Sequence, residues 1–177
     1  MIKNNFYVVT GGPGSGKTTL LEALSHKGFA YVSETGRHII KERKSQGLSA
    51  RPDPGTFARQ MFHLDYDNFM ARLTSDDLHF FDRSFFDSAF LIQQTDKIHF
   101  EKIRDILITN RFNRKVFFIP PWKEIYKTDS ERDQTFEESI SIYEMLHDWY
   151  LSSGYTPIVV PRISVENRVE FILNEIK

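Results

Sequence analysis

Eight residues near the N-terminus, 11–18, have the composition and spacing of a phosphate-binding loop. They read Gly-Gly-Pro-Gly-Ser-Gly-Lys-Thr and fit the pattern G-x-x-x-x-G-K-[S/T]. Glycines let backbone N–H groups turn inward without Cβ clashes, which forms a nest for an anion. In such a loop Lys17 reaches the β- and γ-phosphates, and the Thr18 hydroxyl is a ligand of Mg²⁺. The pattern predicts a nucleoside triphosphate site whose phosphate-binding residues are Gly11, Gly12, Gly14, Ser15, Gly16, Lys17, Thr18 and Thr19.

The segments on both sides of this loop support the prediction. The apolar run 6–10 precedes it, and a helical pattern with Leu20, Leu21 and Leu24 follows. A strand, a glycine loop and a helix in this order are the context that such a motif requires. The helix N-terminus adds a partial positive charge behind the phosphates. The alternative, a glycine turn with a purely structural role, is disfavoured by this context.

Polar residues follow a second apolar run, 78–82, at its C-terminal end. Asp82 is a candidate ligand of Mg²⁺ or a base for an attacking hydroxyl, and its alternative is an aspartate that only ends a strand. Arg83 is a candidate for holding a phosphate or an anionic group of the substrate, or else forms a salt bridge to Asp87. Ser84 and Asp87 have the spacing of a capping box, so we interpret Asp87 as structural rather than as a ligand of a substrate hydroxyl.

Glu34 and Arg37 follow a further apolar run, 29–33. A carboxylate and a guanidinium at the open end of a strand suit a polar substrate, and Glu34 is a second candidate base. If this strand lies beside the strand that ends at Asp82, both carboxylates face the γ-phosphate. The alternative is a Glu34–Arg37 ion pair at the start of the next helix.

The segment 120–135 is the candidate lid. It contains the charged, breaker-rich stretch 120–134, in which Arg132 is placed to move over the triphosphate and neutralise charge in the transition state. Lys127 is a weaker candidate for this role, and a solvated surface turn is the alternative. Trp122 and Tyr126 are interpreted as packing residues.

The elements that must position these residues alternate along the chain. Five short apolar runs, 6–10, 29–33, 78–82, 115–119 and 156–160, are separated by amphipathic stretches. This order predicts an α/β fold with buried parallel strands. Helix starts are indicated at Asp53-Pro54, at Thr135 with Glu138, and at Ser164. The helix that carries Phe62 and Asp65 is expected to cover the sheet, and a wall of the substrate pocket is a second role for it. For Asp65 and Asp67 we favour surface exposure, and the alternative is that one of them faces this pocket.

Composition excludes several classes of function. The chain has 177 residues, a net charge of −1 and no cysteine, which disfavours nucleic-acid binding and excludes disulfides and thiolate metal sites. The six histidines show no metal-ligand spacing. No apolar run reaches membrane-spanning length, and the start of the chain leaves no room for a signal peptide. We predict one domain over 1–177, located in the cytoplasm, with no membrane partner.

Taken together, the motifs resemble one family of P-loop proteins. It is an AAA-named ATPase/kinase-like family, related to the ribosylnicotinamide kinase domain of the bifunctional NAD-biosynthesis regulator. The resemblance is carried by 10–20, Glu-x-x-Arg at 34–37, Phe-Asp-Arg at 81–83, Pro-Pro-Trp at 120–122 and the stretch 126–132. It implies a P-loop NTPase fold like that of nucleoside and nucleotide kinases, with a five-stranded parallel sheet in the order 2-3-1-4-5 and helices on both faces. It also implies a metal or base role for Asp82 and a lid position for Arg132, although Ser84 replaces the glycine that commonly follows Asp-Arg in the family.

The combined features predict a Mg-ATP-dependent phosphotransferase with a small, hydroxyl-bearing and nucleoside-like acceptor. Its partners are then a nucleoside triphosphate and that small molecule. The alternative is a regulatory ATPase that has no acceptor and whose nucleotide state controls a partner surface. A polynucleotide end kinase is disfavoured because the chain has no basic surplus. On this interpretation a Lys17→Ala substitution removes turnover and leaves the fold near wild type.

Overall fold

A five-stranded parallel sheet forms the centre of the protein, in a computed structural model that describes residues 1–126 and 135–177. The strand order is β2-β3-β1-β4-β5, as predicted. The strands are β1 (Phe6–Gly11), β2 (Ala30–Val32), β3 (His79–Asp82), β4 (Lys115–Ile119) and β5 (Thr156–Val159). The helices of the described residues are α1 (Lys17–His26), α2 (Thr35–Ser45), α3 (Pro54–Met70), α4 (Phe85–Thr95), α5 (Lys97–Thr109), α6 (Phe136–Ser152) and α7 (Val165–Glu175), with a 3₁₀ turn at Lys123–Ile125.

The predicted burial of all five strands holds only for the middle of the sheet. β1 and β3 are buried throughout, and β4 is buried except at Lys115. The two outer strands, β2 and β5, have partners on one side only, and most of their residues are partly exposed. Edge strands receive less cover from the helices, which a run of apolar residues does not reveal.

Helices cover both faces of the sheet, and each face has its own apolar core. Side chains alternate between the faces along a strand, so Phe80 and Phe81 enter different cores. The core with Phe81 is rich in aromatic rings, among them Phe69 and Phe112, whose ring centroids lie 4.9 Å apart. The other core is more aliphatic and contains Leu20 and Leu24 of α1. The two cores fix the central strands, whose carboxyl ends then form a rigid edge.

The predicted helix starts are confirmed by their caps. Asp53 accepts a hydrogen bond from the backbone N–H of Thr56 at 3.0 Å, and Thr135 forms a capping box with Glu138. Ser84 and Asp87 form the second capping box, at the start of α4. Because β3 ends at Asp82 and α4 is capped at Ser84, the Asp82-Arg83 pair is held in the connection between them.

In the part of the chain that the structure describes, no helix has both the length and the apolarity required to cross a lipid bilayer. The two longest helices, α3 and α6, have 17 residues each and carry acidic side chains.

Candidate functional site

The predicted phosphate-binding loop joins β1 to α1 and packs closely against other segments. Gly14 has a φ of 75°, and a Cβ there would lie 2.5 Å from the Tyr126 ring. A Cβ on Gly12 would lie 2.5 Å from the backbone oxygen of Ser139. The Ser139 hydroxyl also donates a hydrogen bond to the Pro13 carbonyl at 2.8 Å. The loop therefore requires glycine at both positions, and Ser139 of α6 holds it in place.

Lys17, the lysine of the motif, is buried among carboxylates. Its ammonium group donates to Asp82 Oδ1 at 2.5 Å and lies 3.9 Å from Glu34 Oε2. The sheet register brings these groups together, because Val9 of β1 pairs with Asp82 of β3, and Val32 of β2 pairs with Phe81. The prediction that Asp82 and Glu34 meet at one edge of the sheet is confirmed.

Arg83 connects two carboxylates at this edge. Its Nε donates to Glu34 at 3.2 Å and its Nη1 donates to Asp87 at 3.4 Å, so the ion pair to Asp87 exists alongside one that the sequence did not indicate. Arg83 also has a φ of 68°, the only positive φ among the described non-glycine residues. A left-handed backbone costs an ordinary residue about 1 kcal/mol or more. The backbone N–H of Arg83 donates to the Val9 carbonyl at 3.0 Å, which helps to hold this turn.

The charges at this edge shift the pKa values of the two carboxyl groups in opposite directions. Burial alone would raise the pKa of Glu34, but Lys17, Arg83 and Arg37 lower it to about 2. Burial raises the pKa of Asp82, and the nearby Glu34 charge adds to this effect, while Lys17 opposes it. Arg83 stays protonated because the attraction of three carboxylates outweighs its burial and raises its pKa. Asp82 is therefore the stronger proton acceptor of the two.

Asp87 has the structural role that its capping-box spacing indicated. Its carboxylate accepts hydrogen bonds from the Thr10 hydroxyl, from the Ser84 backbone N–H at 3.0 Å, and from the Tyr150 hydroxyl at 2.6 Å. Tyr150 is fully buried in α6. The Asp87 carboxylate thus ties β1, α4 and α6 together directly behind the site.

A cavity of about 840 Å³ extends from the phosphate-binding loop across the ends of α2, α3 and α4. Its near end, which we call the phosphate end, contains the loop and the Glu34, Lys17 and Arg83 side chains. Its other end, which we call the acceptor end after the acceptor that the sequence predicts, is lined mainly by apolar side chains. Those from α2, α3 and α4 are Ile40, Phe57, Met61, Phe90 and Leu91. This confirms that the helix with Phe62 walls a pocket. Such a cavity has the size and lining of a small-molecule site.

The prediction that Asp65 is exposed is wrong, whereas Asp67 is exposed as predicted. Asp65 is buried at the acceptor end, where its carboxyl accepts from Thr35 Oγ1 at 2.8 Å and from Ser88 Oγ at 2.6 Å. Burial raises its pKa to about 7, and the charges of Asp87 and Glu34 add to the shift. A sequence signal was present, because Asp65 falls at helical spacing between the buried Phe62 and Phe69.

The remaining predicted site residues divide into two groups. Thr18, Thr19 and Arg37 line the cavity, and Arg37 lies 3.5 Å from Glu34, so the proposed Glu34–Arg37 pair is present. Arg132 and Lys127 lie outside the described residues, so the lid prediction for 120–135 stays a prediction. Trp122 and Tyr126 pack as expected: the Tyr126 ring lies 5.3 Å from that of Phe136.

The oxygen donors at the phosphate end fit a magnesium ion that is shared with a bound triphosphate. The described residues contain no group of three or more histidine, cysteine, aspartate or glutamate side chains that could hold a metal without further ligands. Mg²⁺ is usually held by one or two carboxylates together with phosphate oxygens and water. Thr18, beside Lys17 in the loop, and Asp82 are suitable protein ligands of this kind.

Comparison with protein families places nearly the whole chain in one of them. A family model described as an AAA domain matches residues 6–168. No curated protein matches the sequence significantly.

The solved structures with the same fold include a nucleoside kinase and a nucleotide kinase. The chain resembles deoxyadenosine kinase from M. mycoides with dCMP bound, at a TM-score of 0.73 and 16% identity over 96% of this chain and 97% of that one. Thymidylate kinase from Ehrlichia chaffeensis gives a TM-score of 0.65 and 15% identity over 97% of this chain and 98% of that one. NadR in complex with NR gives a TM-score of 0.71 and 18% identity, with 96% of this chain matched to 49% of that chain. These likenesses establish the P-loop NTPase fold.

Proposed function

The chain belongs to the AAA-domain family, and from that premise we propose that it is a Mg-ATP-dependent phosphotransferase with a small, hydroxyl-bearing, nucleoside-like acceptor. The observation that carries the proposal is the shape of the cavity. One continuous space joins the phosphate-binding loop to an apolar acceptor end, and the carboxyl groups of Glu34 and Asp65 line it. A protein that only hydrolysed ATP would have no use for the acceptor end.

The donor nucleotide would bind at the phosphate end. Backbone N–H groups of the loop and the α1 N-terminus hold its phosphates, and Gly11, Gly12, Gly14, Ser15, Gly16, Thr18 and Thr19 supply the contacts. Lys17 leaves Asp82 and binds the β- and γ-phosphate oxygens instead. Magnesium, held by Thr18 and, if it is not the base, by Asp82, would neutralise charge on the phosphates. Arg132 is the proposed lid cation.

The acceptor would enter from the side of Glu34 and Arg37. Its hydroxyl attacks the γ-phosphorus, the bond to the β-phosphate oxygen breaks, and the hydroxyl proton passes to a carboxylate. We assign this proton to Asp82 rather than to Glu34, because the cations around Glu34 hold its pKa near 2. Arg83 and Arg37 keep the Glu34 charge in place as a ligand of acceptor hydroxyls.

A nucleoside-like acceptor is supported by the apolar lining of the acceptor end and by the printed names of the proteins that share the fold. A ring would pack against Phe57, Met61 and Phe90, and polar groups would meet Glu34 and Arg37. The deoxyadenosine kinase and NadR structures contain dCMP and NR respectively. Use of ATP favours a cytoplasmic location for the protein.

The proposal is tested by ADP release in a coupled assay, with a panel of nucleosides, pyridine ribosides and vitamins offered with MgATP. We expect at least one compound to raise the rate of ADP formation well above the rate without acceptor. Phosphorylated product should appear in equal amount by mass spectrometry. ATP hydrolysis that no acceptor stimulates, together with a partner complex that depends on nucleotide, would favour the regulatory ATPase.

A further inference from the structure

One arginine outside the predicted site, Arg168, is buried beside the phosphate-binding loop. It lies in the first turns of α7, and its side chain is 4% exposed. α7 packs against α1, the helix that begins at Lys17. The packing of these two helices directs the Arg168 guanidinium toward the start of α1 and the loop that precedes it.

The guanidinium lies between the loop and the segment that follows β4, and its Nε is buried. A Cβ on Gly16 would lie 3.4 Å from Arg168 Nη1 and 3.0 Å from the Ile125 side chain. On its other side the guanidinium lies over the Trp122 ring, 5.5 Å from the ring centroid. Arg168 thus lies next to Gly16, the residue that precedes Lys17 in the motif, and a side chain at position 16 would touch it.

Within the described residues, this guanidinium has no ion pair. Its buried Nε lacks a hydrogen-bond partner, and the one carboxylate that favours its charged form is the exposed Glu166. Burial outweighs that attraction and lowers the pKa of Arg168. Arg111 offers a contrast, because it also lies over aromatic rings but donates to the Ser153 carbonyl at 2.5 Å.

An unpaired buried charge is costly to fold, since it loses its hydration without gaining a counter-charge. A trianionic or tetra-anionic ligand in the loop would supply that counter-charge across Gly16. The carboxylates of Asp82 and Glu34 do not supply it, because they pair with Lys17. We propose that Arg168 is a second fixed cation of the triphosphate site, which acts on the phosphates from behind Gly16.

The proposed role depends on charge and not on a direct contact. Two charges attract over several ångströms where the protein excludes water, so Arg168 can favour phosphate binding while Trp122 and Ile125 keep it covered. It is therefore a positioning residue for the phosphates and not a catalytic one. The inference rests on the proposed triphosphate site, but it does not require any particular acceptor.

The test uses three variants of the full chain: Arg168→Met, Arg168→Lys and, as a matched control, Arg111→Met. Dissociation constants are measured for ATP, ADP and AMP, and the melting temperature is measured without nucleotide. We expect Arg168→Met to weaken ATP binding about tenfold and AMP binding clearly less, because the attraction grows with ligand charge. Its ligand-free form should be as stable as wild type or more so. Arg168→Lys should retain most of the ATP affinity.

Arg111→Met should lower the melting temperature without changing the ATP affinity. If Met is not tolerated at 168, Arg168→Gln takes its place with the same expectations. The inference is overturned if the neutral variant binds ATP within twofold of wild type. It is also overturned if the variant loses ATP and AMP affinity equally while its ligand-free form is destabilised, which is the pattern of a packing defect. A wild-type protein that binds ATP but phosphorylates no acceptor would contradict the proposed kinase. The ATP and AMP affinities of the Arg168 variants would still test the role of Arg168.

Discussion

The two ends of the cavity hold carboxyl groups in opposite surroundings, and the one at the phosphate end is partly exposed. At the phosphate end, Glu34 faces the cationic side chains of Lys17, Arg37 and Arg83, and its pKa is lowered to about 2. At the acceptor end, two hydroxyl groups donate to Asp65, no cation of the described residues is among its hydrogen-bond partners, and burial raises its pKa to about 7. The two environments adjoin along the chain, since Thr35, which donates to Asp65, directly follows Glu34.

This contrast indicates that the two ends of the cavity bind different kinds of chemical group. The phosphate end contains ion pairs that an incoming anion can rearrange, because Lys17 can exchange a carboxylate for a phosphate. The acceptor end contains a carboxyl that is largely neutral below pH 7 and so suits hydroxyl groups and apolar rings. We expect changes at the phosphate end to alter catalysis, and changes at the acceptor end to alter pH dependence.

Loss of Lys17, at the phosphate end, should have the largest effect on ATP turnover. Lys17→Met should lower ATP turnover about 1,000-fold, since it removes the charge that binds the transferred phosphoryl group. It also leaves the buried Asp82 without the cation that it pairs with, so we expect a loss of about 3 kcal/mol in the free energy of unfolding at neutral pH. This differs from the expectation, drawn from the sequence, that the fold is unaffected. Kinetics and urea denaturation measure both effects, with the exposed Lys41→Met as the control. Unchanged turnover would contradict the site assignment.

Removal of Asp82, the proposed base at the phosphate end, should lower kcat more than it weakens ATP binding. Asp82→Asn should lower kcat about 100-fold, because the amide cannot accept the acceptor's proton. ATP affinity should change only a few-fold, because the loop and Lys17 remain. Steady-state kinetics and calorimetry separate the two quantities, and Asp67→Asn, on the exposed face of α3, is the control. A loss of ATP affinity in the same proportion as kcat would exclude the base role.

At the acceptor end, Asp65 should make the free energy of unfolding depend on pH. Asp65 binds its proton more tightly in the folded state, so its contribution to stability is greatest at low pH and is lost as pH rises from about 4 to about 7. Relative to wild type, Asp65→Asn should remove a slope of about 1.4 kcal/mol per pH unit in this window. Denaturation curves at several pH values measure it. Equal slopes in the two proteins would mean that Asp65 titrates normally.

Much of the fold could be predicted because its signals are local. The alternation of apolar runs with capped helices, as at Ser84 and Thr135, indicated an α/β sheet and several helix starts. The resemblance of the motifs to a known family added the strand order. The meeting of Lys17, Asp82 and Glu34 followed from the rule that the carboxyl ends of parallel strands share an edge.

The features that escaped prediction depend on contacts between distant segments. The environment of Asp65 arises where α2, α3 and α4 converge, and Ser88 lies 23 residues from it along the chain. The pairing of Arg83 with Glu34 spans 49 residues and needs a left-handed turn that no local pattern indicates at an arginine. The burial of Arg168 likewise follows from how α7 packs on α1. Such groups can be recognised only once the helices are docked.

The positions of the two tryptophans give the protein an internal optical readout. Trp122 lies against the Arg168 guanidinium beside the loop, whereas the Trp149 ring packs on Phe90, which lines the acceptor end. Indole emission responds to nearby charge and to changes in packing. Each tryptophan therefore reports on a different end of the cavity, and single-tryptophan variants would let the filling of the two ends be followed separately, in real time and without a label.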